Sequence, residues 1–200
     1  MELCDWSKRY EGRPFVVLGL GESVSDLHQY KEISPDSLLI GVNDIGRFIQ
    51  PNFLILANRK QQFTPERWDY ICDSKAQIFL AAMGGEWEET KTDLWNRCEI
   101  PPIEVNVRRG VPDLSNPHLL GCRFTSPYIG VCLAAHLGAK RIGLLGVDFS
   151  TPHTLQERLA EIDKGYKELG ETLKANGVDL INISPVSRLE GLPKADAKTF

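Results

Sequence analysis

The 200-residue sequence predicts an α/β fold in which a mostly parallel sheet carries helices on both faces. Short apolar runs alternate along the chain with segments that have helical periodicity. The apolar runs show almost no polar alternation, which is typical of parallel strands that are buried on both faces. Neither an internal repeat nor a low-complexity tract interrupts this pattern. The length suits one domain, so we predict a single unit over residues 1–200.

The first half of the chain predicts four strands and two helices. The first strand, Phe15–Leu20, precedes a helix that starts at Ser23 in an S-x-x-D pattern and runs to about Tyr30. Thr64 is a good N-cap for the second helix, Pro65–Cys72. The other three strands are predicted at Leu38–Val42, Phe53–Ala57 and Gln77–Ala81.

The segment from residue 83 to residue 119 is predicted to be a less regular insertion. Trp87–Trp95 has a helical pattern, but Pro101, Pro112 and Pro117 interrupt the chain after it. Long irregular segments within a compact domain are usually functional or disordered. We therefore expect this insertion to form part of a lid and to influence the choice of ligand.

Helical periodicity returns at Ser126, which is predicted to cap a helix that has Pro127 in its first turn and Gly138 at its end. A T-x-x-E capping box at Thr154 starts a longer helix, whose apolar positions alternate at spacings of four and three up to Gly177. The last two strands are predicted at Arg141–Leu145 and Asp179–Ile183.

The composition argues against several classes of protein. A net charge of −4 leaves no basic face for nucleic acid. The five cysteines have no C-x-x-C spacing, so we predict no zinc or disulfide framework. No apolar run approaches the roughly 18 residues of a transmembrane segment. We expect a cytoplasmic protein, and its four tryptophans leave apolar surface for a homo-oligomer.

The turn after the first strand is the first candidate site, because ligands of open parallel sheets bind beyond the carboxyl ends of the strands. Gly19 and Gly21 allow backbone N–H groups to approach a phosphate, and Ser23 would cap the helix or donate to the ligand. A structural turn is the alternative. The third glycine of the dinucleotide fingerprint is missing, and Asn43 replaces the usual acidic residue after the second strand. Both features argue against NAD. Glu22 would repel a phosphate, so we expect it to face solvent.

Polar residues at other strand and helix ends extend this candidate site. The amides of Asn43 and Asn58 are able to bind a base, a ribose or a phosphate. Asp148 would bind ribose hydroxyls, a sugar or magnesium. Thr125 and Ser126 stand at a helix N-terminus, which attracts anions. Each of these residues also has an ordinary alternative role as the cap of a loop or a helix.

His153 is the candidate general base. It lies in a polar loop at the predicted ligand edge, immediately before the last long helix. A neutral imidazole at such an edge is able to remove a proton from a substrate. The alternative is an ordinary histidine in a solvated loop.

Longer stretches of the sequence resemble a Rossmann-like superfamily of nucleotide-binding proteins. One branch is the MptE-like family, whose archaeal members are 6-hydroxymethylpterin pyrophosphokinases that use ATP and magnesium. Another branch is a family of bacterial sialyltransferases that use CMP-sialic acid. The resemblance spans most of residues 14–193 and is most specific from Thr125 to Phe149. It depends on the stretches "LGLGESVSDL", "IGVNDIGRF", "PNFLILAN", "TSPYIGVCLAAHLGAKRIGLLGVDF" and "NISPVSRLEGLPK".

The resemblance implies roles for the candidate residues. It implies that Asn43 sits at the reaction centre, that Thr125 and Ser126 lie beside the nucleotide, and that Ser184 and Ser187 approach the phosphate or the base. The phosphates or the ribose would be contacted by the three residues of the first turn, Gly19, Gly21 and Ser23.

The resemblance also implies that His153 is the catalytic base, because the sialyltransferases have their base histidine before the last helix. Two departures count against a simple transfer of function. Pro127 stands where a glycine is common after Thr-Ser, and Asn58 stands where MptE-like proteins often have an aspartate. The second departure weakens a magnesium site.

We therefore expect a nucleotide-binding transferase, a glycosyltransferase that uses a nucleotide sugar and acts on a small-molecule or glycan acceptor without a metal. One alternative is an MptE-like pyrophosphokinase with ATP and magnesium. The other is a module that binds a nucleotide without catalysis. The sequence leaves the base, the sugar and the acceptor open.

Overall fold

The computed structural model describes residues 2–25, 33–150 and 156–200. All six strands that the sequence predicts are present, and three short strands join them. The strands are β1 (Pro14–Leu18), β2 (Leu38–Val42), β3 (Phe53–Leu56), β4 (Gln77–Leu80), β5 (Ile103–Glu104), β6 (Asn106–Arg109), β7 (Leu119–Cys122), β8 (Arg141–Leu145) and β9 (Asp179–Asn182).

Seven of these strands form one parallel sheet in the order β5-β4-β3-β2-β1-β8-β9. β6 and β7 form a separate parallel pair. The main sheet confirms the predicted mostly parallel α/β architecture. The chain runs outward from β1 to β5 and then returns to the other side of β1 as β8 and β9. The direction of winding therefore reverses between β1 and β8, which makes this position the topological switch point of the sheet.

The described helical residues are divided between the two faces of the sheet. The helices are α1 (Glu22–Ser25), α2 (Pro65–Cys72), α3 (Glu88–Arg97), α4 (Ser126–His136) and α5 (Leu159–Ala175). Thr64 caps α2, as the sequence predicts, because its side-chain oxygen accepts a hydrogen bond from Arg67 N. The predicted helix around Trp87–Trp95 is α3. The predicted end of the first helix near Tyr30 and the capping box at Thr154 lie outside the described residues.

Alternate residues of each strand pack on opposite faces of the sheet. In β1, Phe15 and Val17 belong to the core layer that contains the buried faces of α4 and α5. Val16 and Leu18 belong to the layer that contains the buried faces of α2 and α3. All four side chains are completely buried, which explains why the sequence of this strand shows no polar alternation.

Three of the four tryptophans are buried in the core. Trp6, Trp68 and Trp87 are at most 7% exposed, and only Trp95 has a large exposed fraction, 43%. The apolar surface that the sequence offers to a homo-oligomer is therefore mainly interior.

Among the described residues, no helix has both the length and the apolar character needed to cross a membrane.

A buried ion pair fixes the chain where it leaves β2. The side chain of Asp44 is 0% exposed and accepts two hydrogen bonds from the guanidinium of Arg67, at 2.8 and 2.7 Å. Arg47 lies 3.5 Å from the same carboxylate. Burial raises the pKa of Asp44, but the hydrogen bonds from Arg67 and the two positive charges outweigh it and leave the pKa below its ordinary value of 3.8.

Replacing Arg67 with alanine should lower the free energy of unfolding by about 3 kcal/mol, because a buried carboxylate loses its main partner. This value is at the low end for buried pairs, since Arg67 is itself 38% exposed. Urea denaturation at pH 7 measures the loss. The matched control is Arg97→Ala, which breaks pairs with Asp69 and with the partly exposed Asp93 and should cost about 1 kcal/mol.

The difference between wild type and Arg67→Ala should also depend on pH. The folded-state pKa of Asp44 is depressed, so the contribution of the pair is fully present above the ordinary pKa of 3.8. It should disappear as the pH falls through the lower folded-state value. A difference in stability that stays constant down to that range would contradict the assignment of Arg67 as the partner of the charged carboxylate.

Candidate functional site

A cleft of about 620 Å³ opens at the carboxyl ends of the central strands, at the switch point between β1 and β8. Such a crevice is where open α/β sheets bind their ligands. The described residues that line it are Leu20, Gly21, Glu22, Val42, Asn43, Phe48, Asn58, Phe124, Thr125, Ser126, Pro127, Gly146, Val147, Asp148, Phe149 and Ser150.

Three glycines bring the loops after β1 and β8 into direct backbone contact. A Cβ on Gly19 would lie 2.3 Å from the carbonyl oxygen of Gly146, and a Cβ on Gly21 would lie 2.6 Å from the same oxygen. Gly146 itself has a φ of +74°, which L side chains rarely adopt. The N–H groups of Gly19 and Gly21 donate to Leu145 O and Gly146 O, at 2.8 and 2.7 Å. These two N–H groups therefore join the two loops.

A buried network built on Asp148 holds the start of α1. One carboxylate oxygen of Asp148 accepts from Ser23 N at 2.7 Å, and the other accepts from Ser23 Oγ at 2.9 Å. Ser23 and Ser184 both accept from Gly146 N, at 3.0 and 2.9 Å. Ser23, Asp148 and Ser184 are at most 4% exposed. The carboxylate of Asp148, rather than the side chain of Ser23, therefore satisfies an N–H group of α1.

Ser187 has a similar internal role. Its hydroxyl donates to Val147 O at 2.8 Å and accepts from Leu189 N at 3.2 Å, and the residue is 5% exposed. Ser23, Ser184 and Ser187 do not line the cleft. Their roles as ligand contacts stay predictions, while the structure shows them bracing the loops that carry the cleft.

Asn43 has the features expected of a ligand contact. It lines the cleft immediately after β2, and its φ is +51°. Its backbone N–H donates to Ile55 O at 3.0 Å, but its side-chain Oδ1 is buried and has no hydrogen-bond partner among the described residues. A buried polar atom without a partner is costly, and a ligand donor in the cleft would remove that cost.

Strained backbone is concentrated at the cleft. Four non-glycine residues of the described chain have a positive φ, and three of them line the cleft: Asn43, Phe124 (+61°) and Phe149 (+53°). This conformation is unfavourable for bulky residues, and such residues cluster at functional sites. Sequence reasoning missed Phe124 and Phe149, because an aromatic residue in a loop carries no local signal of its backbone conformation.

The N-terminus of α4 contributes Thr125, Ser126 and Pro127 to the cleft. The N-cap residue is Thr125 rather than the predicted Ser126, and the Thr125 side chain makes no capping hydrogen bond. Its hydroxyl instead lies 2.9 Å from the hydroxyl of Tyr166, which holds it in place. A helix N-terminus carries about half a positive charge, so this end of the cleft suits an anion.

The rest of the described cleft surface is neutral or acidic. Glu22 and Asp148 line it, whereas no lysine or arginine does so within the described part of the chain. Glu22 is exposed, as expected, and its carboxylate accepts from Ser150 Oγ at 3.2 Å. Asp44, a third acidic residue near this edge, is turned to Arg67. The carboxylates of Asp44 and Asp148 thus already accept hydrogen bonds from protein donors.

Asn58 follows β3 and also lines the cleft. It lies next to the position of Asn43, because β3 pairs with β2 in the sheet. The predicted base, His153, lies outside the described residues. Phe149 and Ser150, which precede it in sequence, line the cleft. The structure therefore brings Gly21, Asn43, Asn58, Thr125, Ser126 and Asp148 to one cavity.

The fold of this chain is similar to that of solved sialyltransferase structures. One is a point mutant of the α-2,3/8-sialyltransferase CstII, with a TM-score of 0.54 and 15% identity over 94% of this chain and 89% of the other. Another is CstII from Campylobacter jejuni in complex with a substrate analogue, cytidine-5′-monophosphate, with a TM-score of 0.52 and 14% identity over 90% and 84% of the two chains.

At such low identity the similarity establishes the fold alone. No protein-family model matches the chain. No curated protein matches it either.

Substituting Gly21 with alanine should destabilise the protein by about 2 kcal/mol, because the new Cβ would lie 2.5 Å from Asp148 Oδ2 and 2.6 Å from Gly146 O. Urea denaturation measures this loss. The matched control is Gly165→Ala within α5, where a Cβ would meet only the flexible side chain of Arg123, at 3.1 Å. Equal stability of the two variants would show that the contact between the two loops is not tightly packed.

Proposed function

We propose that this protein is a glycosyltransferase that binds a nucleotide sugar in the cleft between β1 and β8, with a nucleoside monophosphate as the leaving group. The observation that carries the proposal is the cleft at the switch point together with Asn43, a lining residue whose buried Oδ1 has no partner among the described residues. An N–H or O–H group of a base or a ribose is the kind of donor that would satisfy it. The shared fold with CstII, which has been solved with cytidine-5′-monophosphate, supports the same choice of ligand.

The charge of the cleft favours one phosphate over two. The described lining contains two carboxylates and neither lysine nor arginine, so no described side chain there would pair with the charge of a pyrophosphate. The N-terminus of α4 provides about half a positive charge, which suits a single phosphodiester. A CMP-sugar therefore fits the described cleft better than a UDP-sugar, a GDP-sugar or ATP.

The reaction follows from this placement. An acceptor hydroxyl attacks the anomeric carbon of the sugar, and the bond from that carbon to the phosphate oxygen breaks. In our proposal His153 takes the hydroxyl proton as general base. The phosphate of the leaving CMP lies against the N-terminus of α4, where Thr125 and Ser126 donate to its oxygens. Gly19, Gly21 and Ser23 support this arrangement through the junction of the two loops.

A nucleotide screen tests the ligand class. CMP at about 100 times its dissociation constant should raise the melting temperature by roughly 5–10 °C, because it binds the folded chain alone. UDP, GDP, ADP and ATP should produce smaller shifts, and magnesium should leave the CMP shift unchanged. A shift that requires ATP together with magnesium would favour the pyrophosphokinase instead. No shift with any nucleotide would remove the proposal.

Two substitutions separate binding from chemistry. Asn43→Gly keeps a residue that tolerates a φ of +51° but removes the amide, so CMP affinity should fall about tenfold with little loss of stability.

His153→Ala should abolish sugar transfer from the CMP-sugar and leave CMP affinity within about twofold. Titration calorimetry and product analysis measure the two effects. Unchanged turnover in His153→Ala would exclude the histidine, and CMP binding without turnover in the wild type would indicate a binding module.

A further inference from the structure

A second group of chemically active side chains lies near the amino-terminal end of the chain. Leu3–Trp6 forms a single 3-10 turn that is anchored by its two buried ends, Leu3 (4% exposed) and Trp6 (7%). The ring of Trp6 packs edge-on against Phe79, with 5.5 Å between the ring centroids. Leu3 and Trp6 thus fix the turn, which leaves Glu2 exposed and Cys4 half-buried.

The structure brings His118 to this turn from a distant part of the chain. His118 immediately precedes β7, and its backbone N–H donates to Asn116 Oδ1 at 3.0 Å. His136 connects the two regions, since its Nε2 lies 2.9 Å from Leu3 O. The Leu3–Trp6 turn is therefore fixed against α4 on this side of the molecule.

Glu2, Cys4 and His118 converge at this point. Their ligand atoms, a carboxylate oxygen, a thiol sulfur and an imidazole nitrogen, all lie within 4.8 Å of one another. Cys4 Sγ is 3.8 Å from Glu2 Oε2. Over residues 2–25, 33–150 and 156–200, no other group of three or more histidine, cysteine, aspartate or glutamate side chains is arranged so closely.

We propose that Glu2, Cys4 and His118 bind a zinc ion. Thiolate and imidazole are ligands that Zn²⁺ prefers and that Ca²⁺ and Mg²⁺ do not. Zinc bonds of about 2.0–2.3 Å place the ligand atoms of a tetrahedral ion about 3.3–3.8 Å apart. Side-chain rotations that move the three ligand atoms by about 1 Å would therefore complete the site. The thiol gives up its proton to solvent as the sulfur–zinc bond forms. Water takes the fourth position, because Glu2 and His118 are exposed.

This ion would act independently of the glycosyl transfer proposed above. Glu2 and His118 line a groove of about 770 Å³ that shares no described residue with the cleft. The groove also contains Gln77 of β4 and both residues of β5, so it lies beside the outer strand β5, away from the switch point between β1 and β8. Zinc at this point would tie the Leu3–Trp6 turn to the segment before β7 and stabilise the folded chain by mass action.

Titration of the reduced, chelator-treated full chain with Co²⁺, followed by competition with Zn²⁺, tests the proposal. The wild type should bind one Co²⁺ and show a thiolate-to-cobalt charge-transfer band that Zn²⁺ abolishes. Cys4→Ser should lose this band, and His118→Ala and Glu2→Gln should each weaken binding at least about tenfold. The matched controls are Cys98→Ser and Glu11→Gln, whose side chains lie outside the cluster and which should bind as the wild type does.

Melting temperature gives a second readout that does not depend on cobalt. Saturating Zn²⁺ should raise the melting temperature of the wild type and of both control variants, but not that of Cys4→Ser. Absence of the charge-transfer band in the wild type would overturn the proposal. Equal binding by the wild type and Cys4→Ser would also overturn it, since it would show that the ion attaches elsewhere on the surface.

Discussion

The backbone contact between the loop after β1 and the loop after β8 is the constraint on which the candidate site depends. It requires glycine at residues 19 and 21, because a Cβ at either position would meet the carbonyl oxygen of Gly146. Asp148 then locks the contact by accepting two hydrogen bonds from Ser23. Once these loops are joined, the cleft has a fixed wall at the switch point of the sheet, and α1 has a fixed starting point.

Backbone strain is also concentrated at the cleft, partly in the same loop after β8. Asn43, Phe124 and Phe149 hold a backbone conformation that few non-glycine residues adopt, and Asn43 also buries an unpartnered oxygen. The ion pair of Asp44 with Arg67 fixes the chain immediately after Asn43, which helps the fold to hold this conformation. The cleft thus combines a tightly packed junction of two loops with strained backbone, which is the arrangement expected of a preorganised site.

The two proposed sites depend on different features of the fold. The cleft lies at the carboxyl ends of the strands, where the geometry of any parallel sheet gathers loops and helix N-termini. The zinc cluster depends on a more particular arrangement, in which Cys4 and His118 approach each other only because the Leu3–Trp6 turn docks on the core. Its ligands lie far apart in sequence, so an argument from cysteine spacing had no means of finding them.

The sequence by itself determined six of the nine described strands, most of the helices and the edge of the sheet where polar residues gather. It did not predict β5, β6 and β7, and the first two lie in the segment that was predicted to be irregular. The features that it determined follow from local patterns, namely the apolar runs, the Thr64 cap and the glycine after α4, and neighbouring residues decide them. Only the tertiary structure decided what each polar side chain at that edge faces. Asp148 meets Ser23, which is 125 residues away in sequence, whereas Asn43 Oδ1 meets no described partner. Long-range packing sets these distances, and a local pattern of residues does not record them.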